Sequence, residues 1–314
     1  MFIDPWWVLL ALVAEALSGY PRSLHARVPH PVVWVGSAIN AFECRWNRAE
    51  WSDEARRLLG VLTVILVAGG AAAAGYVLQV ICSAAGSYGM ICIALIGTVG
   101  LAQRSLYTHV RDVLRPLVAG DVAAARVAVS YIVGRDTRNL STSEVSAAAI
   151  ESLAESYNDG VVAPAFWFLL GGLPGLFAYK ALNTADSLIG HREPRWRMFG
   201  WAAARADDVA NLIPARLAAL FVAGGGAGGI AIAWRDASRH DSPNAGWPEA
   251  AMAGALKIRL GGPAVYDGVA HKRPTFGDGP PPEPQHLSQA LRIYIRACAL
   301  MWLAIAVLAT IRST

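Results

Sequence analysis

The sequence predicts an all-α, polytopic membrane protein with five or six apolar helical segments, one of them re-entrant, and amphipathic cytoplasmic helices between them. The first observation is composition: the 314 residues are 55% hydrophobic and only 16% charged, whereas a soluble domain carries about 25% charged residues. The second is that long apolar runs recur. Residues 58–82 hold no charged side chain and would rise about 37 Å as a helix, enough to cross a bilayer. We expect one integral membrane domain over residues 1–314.

The other apolar segments follow in chain order. Residues 2–18 are apolar apart from two acids and lack the basic start of a signal peptide, which predicts a retained membrane helix. Residues 88–102 come shortly after the 58–82 segment, so these two are expected to form a tight helical hairpin. The later apolar segments are 161–179, 212–234 and 293–311.

The segment 161–179 is interrupted by Gly-Gly-Leu-Pro-Gly at 171–175. Arginine is frequent in 19–57 and in 104–160, which the positive-inside rule assigns to the cytoplasm. The region 183–211 is also rich in arginine, and a full crossing at 161–179 would put it on the opposite side. A re-entrant hairpin keeps it in the cytoplasm, and irregular backbone at membrane depth is tolerated where protein buries it. We favour the hairpin, with the full crossing as the alternative.

Charge, glycine and cysteine patterns exclude other classes of protein. The net charge of +4 fits basic loops, and no basic patch with interleaved aromatic residues is present, so nucleic-acid binding is not expected. The glycine run 224–229 fits a GxGxxG pattern but has no preceding strand, so we interpret it as close helix packing. The cysteines lack metal-ligand spacing and are interpreted as free thiols; they are Cys44, Cys82, Cys92 and Cys298.

Three polar clusters lie beside segments apolar enough to enter a membrane: 151–160, 183–191 and 205–211. Carboxylates are costly to desolvate in such places, so they need cations or a metal as partners. Carboxylate and amide oxygens are the ligands that Mg²⁺ prefers, usually together with substrate phosphate. The clusters therefore predict an enzyme that handles a Mg²⁺-bound phosphate substrate. The alternative is that the acids pair with neighbouring arginines and tie helix ends together.

Helical spacing refines this prediction for the first cluster. Glu151, Glu155 and Asn158 fall at positions i, i+4 and i+7, so they share one helical face. The following Asp159-Gly160 is expected to end that helix.

Some polar residues outside these clusters keep two interpretations. The turn 134–137 either contacts a phosphate or lets Asp136 or Thr137 cap the following helix. Trp34 is either an interfacial anchor or a surface on which a ligand stacks. Lys180 either contacts substrate or extends its amine to the membrane interface.

These residues belong to longer motifs, of which three are Ile132-Val-Gly-Arg-Asp-Thr137, Ala149-Ile-Glu-Ser-Leu-Ala-Glu-Ser-Tyr-Asn-Asp-Gly-Val-Val-Ala-Pro164 and Tyr179-Lys-Ala-Leu-Asn-Thr-Ala-Asp-Ser-Leu-Ile-Gly-His191. Further motifs cover 30–36, 199–216, 252–263 and 276–279. Together they closely resemble the adenosylcobinamide-phosphate synthase family of cobalamin biosynthesis, over most of the chain and in the same order. One departure is Tyr157, which stands where phenylalanine is more usual.

The resemblance implies a multi-pass enzyme of the inner membrane that joins adenosylcobyric acid to aminopropanol, or to its O-phosphate, through an amide bond. ATP and Mg²⁺ are implied, and the active site is expected on the cytoplasmic side, where ATP is found. Because a carboxylate is a poor electrophile, an acyl phosphate or an acyl adenylate is expected before the amine attacks. Other membrane enzymes of the same pathway are further expected partners.

The resemblance and the polar clusters together suggest roles for individual residues. Catalysis is expected from Glu155, Asp186 and His191, with Glu155 or His191 taking the proton of the amine. Expected metal ligands are Asp159, Asp186, Asp207 and Asp208. Expected contacts to substrate and phosphate are His30, Trp34, Arg135, Asp136, Thr137, Asn158, Lys180, Asn183, Thr184, Ser187, Arg205, Asn211 and Arg216. Apolar walls for the corrinoid ring are expected from Trp34, Trp167 and Trp201.

Two other functions stay open. One is a membrane transferase acting on a Mg²⁺-bound diphosphate or phospho-alcohol, which would need no ATP hydrolysis. The other is a non-catalytic membrane sensor, in which the acidic clusters are dispensable.

Overall fold

The computed structural model describes residues 3–19, 29–226, 228–266 and 268–313. Within them the α-helices are α1 (Pro5–Ser18), α2 (Pro31–Trp46), α3 (Asp53–Ser83), α4 (Gly86–Gly97), α5 (Gln103–Val118), α6 (Val122–Ser130), α7 (Thr142–Tyr157), α8 (Ala163–Ile189), α9 (Trp201–Gly225), α10 (Gly229–Asp236), α11 (Gly246–Leu256) and α12 (Pro284–Ser313). Residues 20–28 of the predicted cytoplasmic region 19–57 lie outside the described residues.

The all-α polytopic fold class is confirmed. Among the described residues, five helical stretches are long and apolar enough to cross a membrane: Asp53–Ser83, Gly86–Val118, Thr142–Ile189, Trp201–Gly225 and Pro284–Ser313. The helices are supplemented by short strands that the sequence analysis did not predict. These strands are β1 (Leu260–Gly261) paired with β4 (Thr275–Phe276), and β2 (Ala264–Tyr266) paired with β3 (Val269–His271), both antiparallel.

The first predicted span is a helix, but a short one. Helix α1 begins after Asp4, whose side chain accepts a hydrogen bond from the Trp6 N–H at 3.0 Å, and it ends at Gly19 with a φ of 59°. Its 14 residues rise about 21 Å, less than the roughly 30 Å of a bilayer core. The predicted helix is therefore confirmed, and its place in the membrane stays a prediction.

The chain divides into two compact units. The first comprises Met1–Ala102, Ala163–Asn211 and Ile305–Thr314, and the second comprises Gln103–Val162 and Leu212–Ala304.

In the first unit, helix α8 folds back on itself at the predicted glycine-proline break. Gly172 has a φ of 62° and a ψ of −152°, which are not helical values. Ala163 and Tyr179 nevertheless share one buried cluster with Ala210, although an unbroken helix would hold the first two about 24 Å apart. A Cβ on Gly175 would lie only 2.5 Å from the Trp167 carbonyl oxygen, so the two arms touch. The predicted helical hairpin is confirmed; its return to the cytoplasmic side stays a prediction.

Helix α3 supports the tip of this hairpin. The Leu173 N–H donates a buried hydrogen bond to the Gln79 side-chain oxygen at 2.8 Å. A Cβ on Gly172 would overlap the same oxygen, so only glycine fits there. An unsatisfied N–H at membrane depth costs several kcal/mol, and Gln79 provides the acceptor that the broken helix cannot.

Helix α3 also aligns the second arm of the hairpin. Val64 and Val67 pack in one buried cluster with Ala181 and Ala185. Gly75 lies at the other end of the contact, where a Cβ would come within 2.7 Å of the Leu173 carbonyl. The arm therefore runs antiparallel to α3, and this packing fixes the helix that carries the 183–191 cluster.

In the second unit, the glycine run 224–229 allows close helix packing, as predicted, and it also separates α9 from α10. A Cβ on Gly224 would lie 2.8 Å from Leu300, and one on Gly226 would lie 2.8 Å from Ala255. Gly228 has a φ of 92°, a left-handed value that glycine adopts without strain.

Candidate functional site

The 183–191 and 205–211 clusters meet in a buried polar network of the first unit. The centre is Asp207, which is 9% exposed. Its two carboxylate oxygens accept hydrogen bonds from the side-chain amides of Asn211 at 2.9 Å and Asn183 at 3.4 Å. The Tyr179 hydroxyl donates to the side-chain oxygen Oδ1 of Asn211 at 3.1 Å, and the Lys180 amine donates to the side-chain oxygen Oδ1 of Asn183 at 3.4 Å. The result is a hydrogen-bonded carboxylate–amide group built from two helices.

Asp186 lies on the same arm and is half-buried. A Cβ on Gly190 would overlap its carboxylate, so the glycine leaves room for this acid. The hydroxyls of Thr184 and Ser187 donate to backbone carbonyls one turn earlier, at 2.7 and 2.9 Å. Each hydroxyl thus donates its one proton within its own helix.

Asp208 and Arg205 form an ion pair at 3.1 Å, in which the Arg205 side chain is 57% exposed. The two adjacent acids thus have different surroundings, since Asp207 is held by amides and Asp208 by a guanidinium. Asp208 is therefore an acid paired with a neighbouring arginine, which is the alternative that the sequence analysis gave for the polar clusters.

The predicted Mg²⁺ ligands do not form a complete protein cage. Among the described residues, no group of three or more His, Cys, Asp or Glu side chains is placed to hold a metal ion. Mg²⁺ is commonly bound by one or two carboxylates, with substrate phosphates and waters completing the shell. Asp207 and its amide neighbours are hard oxygen donors of this kind, so they fit a phosphate-bound Mg²⁺ and not a fully protein-ligated one.

The loop after Gly190 is held by an ion pair that the sequence analysis did not identify. Arg195 donates two parallel hydrogen bonds to the buried Glu43 carboxylate, both at 3.0 Å. The Asn47 amide donates to Glu43 at 3.1 Å and to the Arg195 carbonyl at 3.0 Å. His191 is exposed on this loop, 5.4 Å from the Trp196 ring between ring centres.

The first cluster belongs to the second unit, and its buried hub is Glu151. This carboxylate is 3% exposed and accepts hydrogen bonds from Arg135, from Arg273 at 3.1 Å and from the Gly261 N–H at 2.7 Å. Arg135, predicted to contact phosphate, therefore has one guanidinium nitrogen bound to an internal acid. Glu155, one turn later, is exposed.

The expectation that Asp159-Gly160 ends the helix is wrong. Residues Asn158–Val162 form one turn of π-helix and the chain continues into α8. Gly160 does not have the positive φ of a helix-ending glycine. The Asn158 amide donates to the Asp159 carboxylate at 2.7 Å. A π-turn inserts an extra residue and often marks a functional site, because it re-aims the side chains around it.

The 134–137 turn holds a β-hairpin and does not cap a helix. The Asp136 carboxylate accepts the Gly268 N–H at 3.1 Å, and the Asp136 N–H donates to the Val265 carbonyl at 2.9 Å. Thr137 is buried. The cap of α7 is Ser141, which forms a reciprocal capping box with Glu144, so the capping alternative for Asp136 and Thr137 is wrong.

Of the three remaining predicted contact residues, His30 and Arg216 have partners within the protein. The Val32 N–H donates to His30 Nδ1 at 3.3 Å, so His30 caps α2. Trp34 is 54% exposed. Arg216 donates to Asn244 at 3.0 Å and lies 4.8 Å from the centre of the Trp247 ring.

Of the other two tryptophans predicted to wall the corrinoid site, Trp167 donates its indole N–H to the Ala210 carbonyl at 3.0 Å. Trp201 is covered by the Arg57 guanidinium, 3.7 Å from the ring centre. Both indole rings have partners within the protein. Their contact with a corrinoid stays a prediction.

The sequence analysis missed two buried acids of the second unit. Asp236 is fully buried and accepts hydrogen bonds from Arg235 at 2.8 Å and from the Gly277 N–H at 2.9 Å. The Arg235 hydrogen bond holds the pKa of Asp236 below its usual value. Glu249 is 1% exposed in α11. The sequence did hold one signal for Glu249, because this acid lies in an otherwise apolar helix. Its burial depends on distant segments of the chain, so the sequence of that helix alone does not predict it.

Fold and site define the class as a polytopic helical membrane protein with a buried carboxylate–amide network. The chain belongs to the CobD/Cbib protein family, which matches residues 8–294, and this confirms the resemblance found in the motifs.

Similar curated proteins each carry the name "Cobalamin biosynthesis protein CobD". The one from Sinorhizobium sp is 46% identical over 304 residues, covering 93% of this chain and 94% of the relative. The one from Rhodobacter capsulatus is 46% identical over 310 residues, with 98% of each covered. The one from Brucella suis biovar 1 is 50% identical over 267 residues, covering 82% and 81%. No solved structure matches the chain.

Proposed function

We propose that this protein acts in cobalamin biosynthesis and forms the amide bond between adenosylcobyric acid and aminopropanol or its O-phosphate, at the expense of ATP. The name shared by relatives that match over most of their length supports the first part. The observation that carries the second part is the buried network around Asp207. A carboxylate held by amides in an apolar helical unit is a suitable group to face a charged, phosphate-bearing substrate.

The reaction needs an activated carboxyl group. In one route the substrate carboxylate attacks the terminal phosphorus of ATP, ADP leaves, the amine attacks the acyl carbon, and phosphate leaves as the amine loses its proton. In the other route the carboxylate attacks the α-phosphorus of ATP and diphosphate leaves; the amine then attacks the acyl carbon, and AMP leaves as the amine loses its proton. Both routes need charge stabilisation at phosphate and an acceptor for one proton.

The residues of this chain divide these tasks in our proposal. Asp207 and Asp186 would hold a Mg²⁺ ion that also binds the phosphates of the nucleotide, and such an ion would supply neutralisation of phosphate charge. Lys180 and Arg205 contact phosphate oxygens. His191 is exposed and can pass the proton of the amine to solvent.

The direct test is turnover by purified protein in detergent. Adenosylcobyric acid, aminopropanol phosphate, ATP and Mg²⁺ are mixed, each is omitted in turn, and the amide product is followed by mass. Product that requires all four supports the proposal. Amide product without ATP would contradict the ATP-dependent reaction, and no product with either amine from folded protein favours the transferase or the sensor.

A further inference from the structure

Glu249 is a buried carboxyl group with incomplete hydrogen bonding. It is 1% exposed and lies in the first turn of α11. Among the described residues, its Oε2 atom accepts no hydrogen bond. The basic side chains beside it are Arg273, whose guanidinium nitrogen is 3.8 Å from Oε2, and His240, whose Nε2 is 3.8 Å from Oε1. Both distances are too long for a hydrogen bond.

Glu151 lies in the same network and has the opposite arrangement. It binds Arg273 at 3.1 Å, the Gly261 N–H at 2.7 Å and Arg135. Arg273 thus stands between two carboxyl groups and hydrogen-bonds only one of them. A buried ionised carboxylate without direct donors is costly, whereas a neutral acid is tolerated there.

His240 does not supply the missing charge. Its Nδ1 accepts the Ser242 N–H at 2.9 Å, so the proton of the neutral ring is on Nε2, the atom nearest Glu249. Burial and the neighbouring Arg273 guanidinium lower the pKa of His240, which keeps the ring neutral at neutral pH.

We propose that Glu249 is a positioning residue, held as a neutral carboxylic acid, whose protonation keeps Arg273 bound to Glu151 and thereby holds Arg135 and strand β1 in place. When Glu249 ionises, it competes for Arg273, the Glu151 hub loses a donor, and β1 and Arg135 loosen. The groups that face Glu249 from the surrounding segments are Glu151, Glu155, Arg135, Arg273 and His240. Burial and then the charges of Glu151 and Glu155 raise the pKa of Glu249 well above its usual value.

The first test needs no activity. Hydrogen exchange is measured across Leu260–Gly261 over a range of pH and corrected for the intrinsic base-catalysed rate, in wild type, Glu249→Gln and Glu249→Met. Glutamine imitates the neutral acid and methionine fills a similar volume without charge. We expect protection of this strand to fall as pH rises in wild type and to stay constant in both variants. Equal pH dependence in wild type and in both variants would overturn the proposal.

The second test concerns the proposed function, on which it rests because Arg135 is a predicted phosphate contact. Above the pKa of Glu249, kcat/KM of wild type should fall about tenfold per pH unit, mainly through KM for the phosphate-bearing substrate. Glu249→Gln should remove this alkaline limb, whereas the exposed-acid control Glu283→Gln should keep it. An alkaline limb that survives in Glu249→Gln would contradict the inference. If wild type has no turnover at any pH, the proposed function fails, and hydrogen exchange still decides the role of Glu249.

Discussion

Asp207 and Asp208 are adjacent residues whose surroundings differ. Asp207 is buried and held by two amides, whereas Asp208 forms an ion pair with the exposed Arg205. Exposed ion pairs contribute about 0–1 kcal/mol, while a buried carboxylate that faces substrate affects the charge of the whole site. In the proposed function, Asp207 is therefore the acid of this helix that is expected to affect turnover more.

Replacing Asp207 by Asn is expected to lower kcat/KM by about 100-fold or more, the scale of removing one charge-stabilising group. The protein should stay folded, because Asn has nearly the same shape. The matched control is Asp112→Asn, which makes the same change in an exposed ion pair with Arg115. Turnover of Asp207→Asn equal to that of the control would remove Asp207 from the site.

The pKa of Glu249 also predicts how stability depends on pH. Because its pKa in the folded state is raised, folding takes up a proton above the usual glutamate pKa, and stability falls as pH rises. The gap in unfolding free energy between Glu249→Gln and wild type should grow by about 1.4 kcal/mol per pH unit, until pH passes the raised pKa. Denaturation in detergent at several pH values measures this gap. A gap that does not change with pH would show that Glu249 is ionised when folded.

Two buried tyrosines form a matched pair. Within the described residues the Tyr157 hydroxyl has no hydrogen-bond partner, whereas the Tyr179 hydroxyl donates to Asn211. Tyr157→Phe should be neutral or stabilising by about 1 kcal/mol, and Tyr179→Phe should destabilise by about 1 kcal/mol. Thermal unfolding in detergent compares them. The opposite order would mean that the Tyr157 hydroxyl has an unseen polar partner.

Among the elements, the α8 hairpin depends on a glycine that no other residue can replace and on a hydrogen-bond acceptor from another helix. Gly172 has a positive φ, and its neighbour Leu173 donates to Gln79. Gln79→Leu should therefore destabilise the protein by about 1–3 kcal/mol, the cost of a buried N–H without a partner. The control Gln285→Leu changes the same residue type at an exposed position in α12. Equal unfolding temperatures for the two variants would show that the hairpin tip does not depend on Gln79.

The hairpin was predictable because glycine and proline interrupt a helix at their own positions. Helices α3 and α12 were predictable because their apolar runs are long. The π-turn at Asn158–Val162 was not predictable, since Asp-Gly usually marks a helix end. Strands of two or three residues carry no periodic signal. The capping role of Ser141 lay in the pattern Ser141–Glu144, and the sequence analysis overlooked it.

At the scale of the whole molecule, composition and recurrent apolar runs were sufficient to predict the fold class. The site was only partly predictable. The Asp207 network joins residues from two of the predicted clusters, whereas Glu151 owes its partners Arg273 and Gly261 to segments more than one hundred residues away. Such pairing follows from tertiary packing, which no local pattern contains.

The expected orientation of the first unit is testable by labelling. Glu50 and Glu193 are exposed on loops that the positive-inside rule assigns to the cytoplasm. Cysteines introduced at these positions, with the native cysteines replaced by alanine, should react with an impermeant thiol reagent in inside-out vesicles and not in intact cells. Labelling of either position in intact cells would reverse the assigned orientation.

The most direct test of ATP-driven amide formation uses adenosylcobyric acid with ¹⁸O in both oxygens of the reacting carboxylate. ATP-driven ligation predicts that the amide keeps one labelled oxygen and that the other is found in phosphate or in AMP, which also identifies the activated intermediate. Amide product without transfer of label to either would contradict activation by ATP.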